Sequence, residues 1–400
     1  MIRIQKGYID IVTPLIRAFG GKVDDSGFPS AVLLVSDSGA SNCTFTVING
    51  MNAGASNTGL TMTIVLPLIE EATETMCCFV PVVRFSAWLG SVTEDVTIEQ
   101  KPNAVVIRDG GNRTRIPTLA GELPANKLVG QLVAEMRPIQ MAALLRESKY
   151  SVSENDGRLH AEVIDIVLTP PRTIIIQGTN SFRGVHILYD DVDVKDDFEF
   201  IAPAFSLTVI ERCLAAAMKL EGEEAGNSIK LYRLPVANQL TDGSLRVSYE
   251  NGDGFAIYLD INGITMNYPD LAPFMAPRPD SVSITLDKTL LRRTIGRIIA
   301  DGQKAMERHI LLRGSNGAFY ITSVTPDGVQ TELEITEFAS RGELDDLRIK
   351  INLPYLQQVL AVIPGDSVTL TQYLNEGNQT PLSISTEDCI GTHVIQRVVL

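Results

Sequence analysis

Six stretches with helical spacing of apolar residues, beginning near Gly7, Pro81, Pro138, Pro203, Thr285 and Asn352, divide this 400-residue chain into units of about one-sixth each. Successive starts lie 57 to 82 residues apart. The lead-in recurs as well: a strand-like run, a Pro or small polar residue, then the helix. Cys78-Phe79-Val80-Pro81 precedes Phe85, Trp88 and Leu89, and Phe200-Ile201-Ala202-Pro203 precedes Leu207, Ile210 and Leu214. Ile349-Lys350-Ile351-Asn352 leads into Leu356, Val359, Leu360 and Ile363.

After the helices the chain reads as hairpins. Val96-Thr97-Ile98 and Ala104-Val105-Val106-Ile107 flank a Lys-Pro-Asn turn, and Val368-Thr369-Leu370 and Leu382-Ser383-Ile384 flank a turn with Asn375, Gly377 and Asn378. Ile229-Lys230-Leu231 and Leu245-Arg246-Val247 do the same around Asp242-Gly243. A helix-and-hairpin unit this small cannot bury its apolar face alone. Pairing six units predicts an α+β fold of three domains, each with two helices packed on antiparallel sheet. Loop-like stretches at Ala120–Pro124 and Pro269–Pro279 place the domains at 1–128, 129–277 and 278–400.

Composition narrows the function classes. A hydrophobic fraction of 44% with 20% charged residues is that of a soluble globular chain. No apolar run approaches a membrane span, and Arg3, Lys6 and Asp10 argue against a signal peptide. Five scattered cysteines (Cys43, Cys77, Cys78, Cys213, Cys389) argue against a disulfide framework and for a cytoplasmic setting. The net charge of −14 argues against a surface that coats nucleic acid all over, and leaves room for a local basic lining.

Catalytic signatures are missing. His160, His186, His309 and His393 lack metal-ligand spacing, and Cys77-Cys78 is no Cys-x-x-Cys pair. There is no phosphate-binding glycine motif and no Gly-x-Ser-x-Gly. The pairs Asp190-Asp191, Asp196-Asp197 and Asp345-Asp346 suit solvated loops better than a Mg²⁺ site. The expectation is a protein that is not an enzyme and needs no metal or cofactor.

The basic residues say more. On the helix near Thr285, Arg293 and Arg297 fall roughly 40° apart, whereas Leu291, Ile295 and Ile298 fall roughly 140–200° from Arg293. Basic and apolar side chains thus take opposite faces, and Asp301-Gly302 is expected to end the helix. Lys22 comes just after the first helix, Arg146 and Lys149 end the third, and Arg212 and Lys219 mark the fourth. A solvated helix face explains any one of these; their recurrence in a net acidic chain suggests a lined channel.

Several segments resemble the bacterial sliding clamp, the beta subunit of DNA polymerase III. They are Val80-Pro81-Val82-Val83-Arg84-Phe85-Ser86-Ala87-Trp88-Leu89, then Ile107-Arg108-Asp109-Gly110 through Ile116-Pro117-Thr118-Leu119, and Glu122-Leu123-Pro124. Tyr268-Pro269-Asp270 resembles the family's "FPDY" turn. The last 50 residues match best, through Ile351-Asn352, Tyr355-Leu356, Val368-Thr369-Leu370, Pro381-Leu382 and the terminal Val-Val-Leu.

The resemblance implies three clamp-type domains per chain and a homodimer closed into a ring around duplex DNA, held without reading bases. It implies DNA-lining roles for Lys22, Arg146, Lys149, Arg212, Arg293 and Arg297. It places ring closure between an edge strand near Arg113 to Ile116 and a third-domain surface near Ile298 to Asp301. DNA polymerase and clamp-loader peptides would dock in an apolar pocket of Thr179, Ser181, Phe182, Arg183, Pro269, Pro273, Phe274, Val394, Gln396, Val398, Val399 and Leu400. No membrane partner is implied. The pocket departs from the family: "ATDGHRL" becomes Gly178-Thr179-Asn180-Ser181-Phe182-Arg183-Gly184, and "MPMRL" becomes Gln396-Arg397-Val398-Val399-Leu400. Lost methionines imply an altered peptide specificity, as in a divergent clamp that a phage or plasmid carries for its own polymerase. The stretch from Ser151 to Leu168 aligns poorly, so no role there is implied. A clamp-fold structural or regulatory oligomer that no longer encircles DNA is the alternative.

Overall fold

The computed structural model describes residues 1–19, 31–48, 60–120, 129–153, 156–221, 227–235, 243–275, 278–300, 309–324, 330–374, 381–388 and 390–396. The expected lining residue Lys22, the closure residue Asp301 and the pocket residues Val398, Val399 and Leu400 lie outside them.

Six longer helices stand where the apolar spacing predicts them: α1 (Lys6–Phe19), α2 (Val82–Leu89), α3 (Pro138–Lys149), α4 (Ala204–Glu221), and, after the single turn α5 (Ala272–Met275), α6 (Lys288–Ala300) and α7 (Leu353–Val362). Local chemistry sets their starts. Pro81, extended at φ −63°, precedes α2, and the Asn352 side chain accepts from the Tyr355 N–H at the head of α7. The helix expected near Thr285 begins later in the chain. Thr285 stays in the strand Ser281–Asp287, because the Asp287 carboxylate caps the Leu290 N–H and fixes the first turn of α6 there.

Each longer helix heads the same unit: a lead-in strand, the helix, then three strands. The hairpins read from sequence are present in register. Lys101 pairs with Ala104 across Pro102-Asn103, Leu231 with Val247, and Leu370 with Ile384.

The chain forms two compact units. Unit 1 comprises Met1–Ala143, Val167–Thr173 and Asp191–Met266; unit 2 comprises Leu144–Ile166, Ile174–Asp190 and Asn267–Leu400. In unit 1 a nine-stranded sheet runs in the order Asp193–Val194, Gln131–Met136, Ile229–Leu234, Ser244–Glu250, Ala256–Asn262, Leu60–Pro67, Asn42–Ile48, Ala31–Ser36, Met76–Pro81. A four-stranded sheet orders Ile2–Ile4, Val96–Lys101, Ala104–Asp109, Asn112–Pro117. Helix α1 packs on α2 and α4, burying Ile9, Val12, Leu15 and Ile16.

In unit 2 seven successive strands of a nine-stranded sheet run Thr173–Thr179, Arg183–Tyr189, Gly391–Ile395, Leu382–Ser385, Ser367–Tyr373, Ser281–Asp287, Ala339–Arg341. The other orders Gln330–Ile335, Ala318–Val324, His309–Ser315, Arg348–Asn352. Helices α6 and α7 close one core with Leu291, Ile295, Ile298, Leu356, Val359 and Leu360. Burying the three α6 side chains contributes roughly 5–9 kcal/mol as an upper bound. That fixes the rotation of α6 and so which of its residues face water.

Candidate functional site

Three features stand out among the described residues: basic helix faces, sheet edges without a partner strand, and an aromatic–arginine cluster.

With Leu291, Ile295 and Ile298 buried, α6 exposes Arg292, Arg293, Gly296 and Arg297. Arg293 and Arg297 therefore share one exposed face, as the spacing predicts, and Arg292 joins them. Arg146 is exposed at the end of α3, where Lys149 is half-buried. In unit 1, α4 exposes Arg212, Ala215 and Lys219 along one stripe while Cys213, Leu214, Ala216 and Ala217 are buried. Arg84 is exposed on α2.

The edges arise from the repeat. Each of the six units ends in a third strand, and four of these join each other. Ala256–Asn262 pairs antiparallel with Leu60–Pro67 in unit 1, and Arg183–Tyr189 pairs antiparallel with Gly391–Ile395 in unit 2. The remaining two, Asn112–Pro117 and Gln330–Ile335, each end a four-stranded sheet. Arg113 and Arg115 alternate with half-buried Thr114 and buried Ile116 on the first. Glu332 and Glu334 alternate with half-buried Leu333 and buried Ile335 on the second. Period-2 alternation puts the charges of each strand on one exposed face. The two edges are therefore opposite in sign. Of the residues expected to close a ring, Arg113 sits on the exposed edge. Ile116 and Ile298 are buried within their own units and offer a second chain no side-chain surface. Unit 2 presents the edge Gln330–Ile335, which the sequence reading did not single out, although its Glu-x-Glu alternation was there to be matched with Arg113-Thr114-Arg115.

The aromatic cluster lies in unit 2, around the turn between Thr173–Thr179 and Arg183–Tyr189. Ser181 adopts a positive φ of 70°, and Asn180 Oδ1 accepts from the N–H groups of Phe182 and Arg183. This turn leaves Phe182 47% exposed. Its ring stacks on Tyr355 with centroids 6.3 Å apart at 24°, and the Arg158 guanidinium lies 5.3 Å from its centroid. Arg158 is held by the Asp156 carboxylate and donates to Asn180 O at 3.1 Å. That pairing holds the Asp156 carboxyl below its usual range.

Beneath Phe182, the Arg183 guanidinium lies 4.8 Å from the Tyr355 ring and 5.8 Å from the Tyr150 ring and donates to Val152 O at 3.2 Å. Its Nε and Nη1 are enclosed without a hydrogen-bond partner among the described residues. Burial lowers its pKa, and the nearby Tyr355 and Tyr150 only partly offset that. The stack continues inward: Tyr150 Oη lies 2.9 Å from His393 Nδ1, and His393 Nε2 lies 3.5 Å from Glu147 Oε2, with His393 and Glu147 both fully buried.

Of the expected pocket residues, Thr179, Ser181, Phe182 and Arg183 come together in this turn, with Gln396 N donating to Phe182 O at 2.7 Å. Val394 instead packs with Leu271 and Tyr268, next to the exposed Pro269. Leu271 N donates to Gln177 Oε1, and Gln177 donates to Asp165, so the Tyr268-Pro269-Asp270 turn is fastened to the same sheet. Pro273 is exposed at the first turn of α5, which also holds Phe274. Tyr150, Arg158 and Tyr355 belong to this cluster and were not singled out for it from the sequence. Tyr150 and Arg158 lie beside or in the poorly aligning stretch, and Tyr355 stands in the Tyr355-Leu356 segment that carries the resemblance, which implied no pocket role for it.

Among the described residues no group of three or more His, Cys, Asp or Glu is placed to hold a metal ion, and no helix is long and apolar enough to cross a membrane.

No family model matches the chain, and no curated protein matches it. Solved structures do, over the full length. The DNA polymerase III subunit beta from Pseudomonas aeruginosa is 19% identical with a TM-score of 0.76, covering 100% of both chains. The DNA polymerase III beta subunit from Thermotoga maritima is 14% identical with a TM-score of 0.79, covering 100% of this chain and 99% of that one. A putative DNA polymerase III beta subunit from Eubacterium rectale is 14% identical with a TM-score of 0.78, covering 99% and 98%. The chain has the fold of the DNA polymerase III beta sliding clamps, carried by a strongly divergent sequence.

Proposed function

We propose that two copies of this chain close head to tail into a ring around duplex DNA, and that the ring is a non-enzymatic processivity factor tethering a replicative DNA polymerase through the Phe182 pocket. One observation carries the reading. The fold joins its third strands edge to edge twice, and the two left over, Asn112–Pro117 and Gln330–Ile335, are opposite in charge. A second copy supplies each edge with the partner it lacks, and an unpaired edge is a liability that a folded protein otherwise has to blunt. Because the contact is heterologous, two copies that meet at both edges close the assembly.

In this reading the six units pair into three domains divided near residues 128 and 277. Arg146, Arg212, Arg293 and Arg297, with Lys149 and the added Arg292, face the DNA. An acidic exterior at net charge −14 limits adhesion to stray nucleic acid, while arginines that meet phosphates alone hold any sequence equally. Clamp-loader peptides share the pocket. The sliding-clamp structures with the same fold support the reading at the level of architecture.

Light scattering on the purified chain tests it. A mass of two chains is expected at micromolar concentration; a monomer that persists there contradicts ring closure.

A further inference from the structure

A chain of buried polar groups in unit 2 has no role in the reading above. Glu147, in the last turn of α3, and His393, on the strand Gly391–Ile395, are both fully buried, with His393 Nε2 3.5 Å from Glu147 Oε2. On the other side of the imidazole, Nδ1 lies 2.9 Å from Tyr150 Oη, and that same hydroxyl lies 3.1 Å from the carbonyl oxygen of Gly184. Gly184 follows Arg183 at the head of the strand Arg183–Tyr189, paired with Thr179 on one side and Val394 on the other. A phenol has one proton to give, and a carbonyl oxygen only accepts. Tyr150 therefore donates to Gly184 O only while His393 Nδ1 carries a proton of its own and donates to Tyr150 Oη. When Nδ1 is bare, the hydroxyl turns to it, and Gly184 O loses that donor.

We propose that His393 is a proton-operated latch on the turn that displays Phe182 and Arg183. With the imidazole doubly protonated, Nε2–H faces the Glu147 carboxylate, Nδ1–H donates to Tyr150, and Tyr150 donates to Gly184 O, so the turn is fastened. Loss of the Nδ1 proton to solvent leaves Nε2–H on Glu147, swings the Tyr150 hydroxyl from Gly184 O to Nδ1, and loosens the turn. The sign follows from which form holds the extra proton: fastening is complete at low pH and is lost as pH rises through the titration of the imidazole. Glu147 comes from α3 and Tyr150 from the residue just beyond it. The Arg183 guanidinium lies 5.8 Å from the Tyr150 ring and 4.8 Å from that of Tyr355 on α7. In register His393 is flanked by Val185 and Ile384, neither of them charged. Glu147 thus supplies the counter-charge that a buried imidazolium needs, and Arg183, beyond the tyrosine, opposes it. The latch stands on this geometry alone; its bearing on partner docking at Phe182 rests on the reading proposed above.

The test is NMR of the full chain carrying isotope-labelled histidine, with His393→Gln assigning the signal, since nitrogen shifts separate a protonated from a bare ring nitrogen. The expected result is an imidazole protonated at both nitrogens at about pH 6 that becomes bare at Nδ1 alone by about pH 9. Over the same range, amide exchange across residues 179–187 is expressed as protection, which removes its intrinsic pH dependence. Protection there should fall about five- to tenfold as pH rises, the effect of one buried hydrogen bond lost. Glu147→Gln removes the counter-charge and should leave the imidazole neutral and protection flat with pH. Tyr150→Phe keeps the ring beside Arg183 and deletes the hydroxyl that moves, so protection should again be flat. If either variant fails to fold, the two readouts on the unaltered chain decide alone. An imidazole that is bare at Nδ1, or doubly protonated, throughout the range overturns the latch. So does a transition with unchanged protection, or a pH dependence that survives Tyr150→Phe. Every outcome is read without a partner present, so failure of the latch leaves the docking reading standing.

Discussion

Arg113→Glu combined with Arg115→Glu is expected to convert a two-chain species into a monomer. Both arginines are exposed on the edge strand Asn112–Pro117, alternating with inward residues, so their replacement leaves the sheet's own packing intact. Across the proposed junction they face the strand that exposes Glu332 and Glu334. Cross-strand opposite charges contribute roughly 0.2–1 kcal/mol a pair, and like charges cost a similar amount. Reversing two pairs therefore costs about 2 kcal/mol per junction. A closed ring has two junctions, so the dissociation constant rises about a thousandfold. The compensating change, Glu332→Arg with Glu334→Arg in the same chain, should restore the dimer in part. It will not do so fully, because Glu332 also accepts from Arg313 at 3.2 Å and from Thr322 at 3.0 Å within its own sheet. Analytical ultracentrifugation over a concentration series reads the outcome. An undiminished dimer in the double variant would place the contact elsewhere.

Arg293→Glu with Arg297→Glu carries the second large effect. Because α6 is locked by Leu291, Ile295 and Ile298, both side chains point away from the core and the variant should fold normally. With two copies in a ring, four arginine–phosphate contacts turn repulsive. The log–log dependence of DNA affinity on salt should flatten by about 3–4, since each lost phosphate contact removes about 0.9. Because no base is read, the loss should be the same for every duplex sequence. A salt slope equal to that of the unaltered chain would show that this helix face does not meet DNA. Arg292 is a useful control: it is exposed on the same helix, so Arg292→Glu should add a further, smaller loss.

The repeat was readable because its units are bounded by chemistry that a single sequence displays. Apolar spacing such as Leu356, Val359, Leu360 marks a helix, and a Pro-Asn turn between Lys101 and Ala104 marks a hairpin. Residue angles alone were enough to separate the two faces of α6. Strand partners were not legible, because which edge joins which is decided by contacts between residues far apart in sequence. Leu60–Pro67 pairs with Ala256–Asn262, nearly two hundred residues away, and nothing local in either says so. Ile298 was named for closure by the resemblance alone; residue angles had already put it on the apolar face of its helix, and the core takes it. Thr179, Ser181, Phe182 and Arg183, named from the resemblance, share one turn, whereas the side chains stacked on that turn come from elsewhere in the chain. Arg158 comes from a stretch without likeness, and Tyr150 reaches the site from just beyond the end of α3.

The most direct test of the central claim is retention on DNA of matched form. The protein is loaded onto nicked circular duplex, separated from free protein by gel filtration, and the DNA is then cut once. A ring held by topology stays on the circle at a salt concentration that removes simple electrostatic binding, and leaves when the circle is linearised. Loss on linearisation is the expected result. Equal retention on circles and linear DNA, or none on either at that salt, would contradict encirclement.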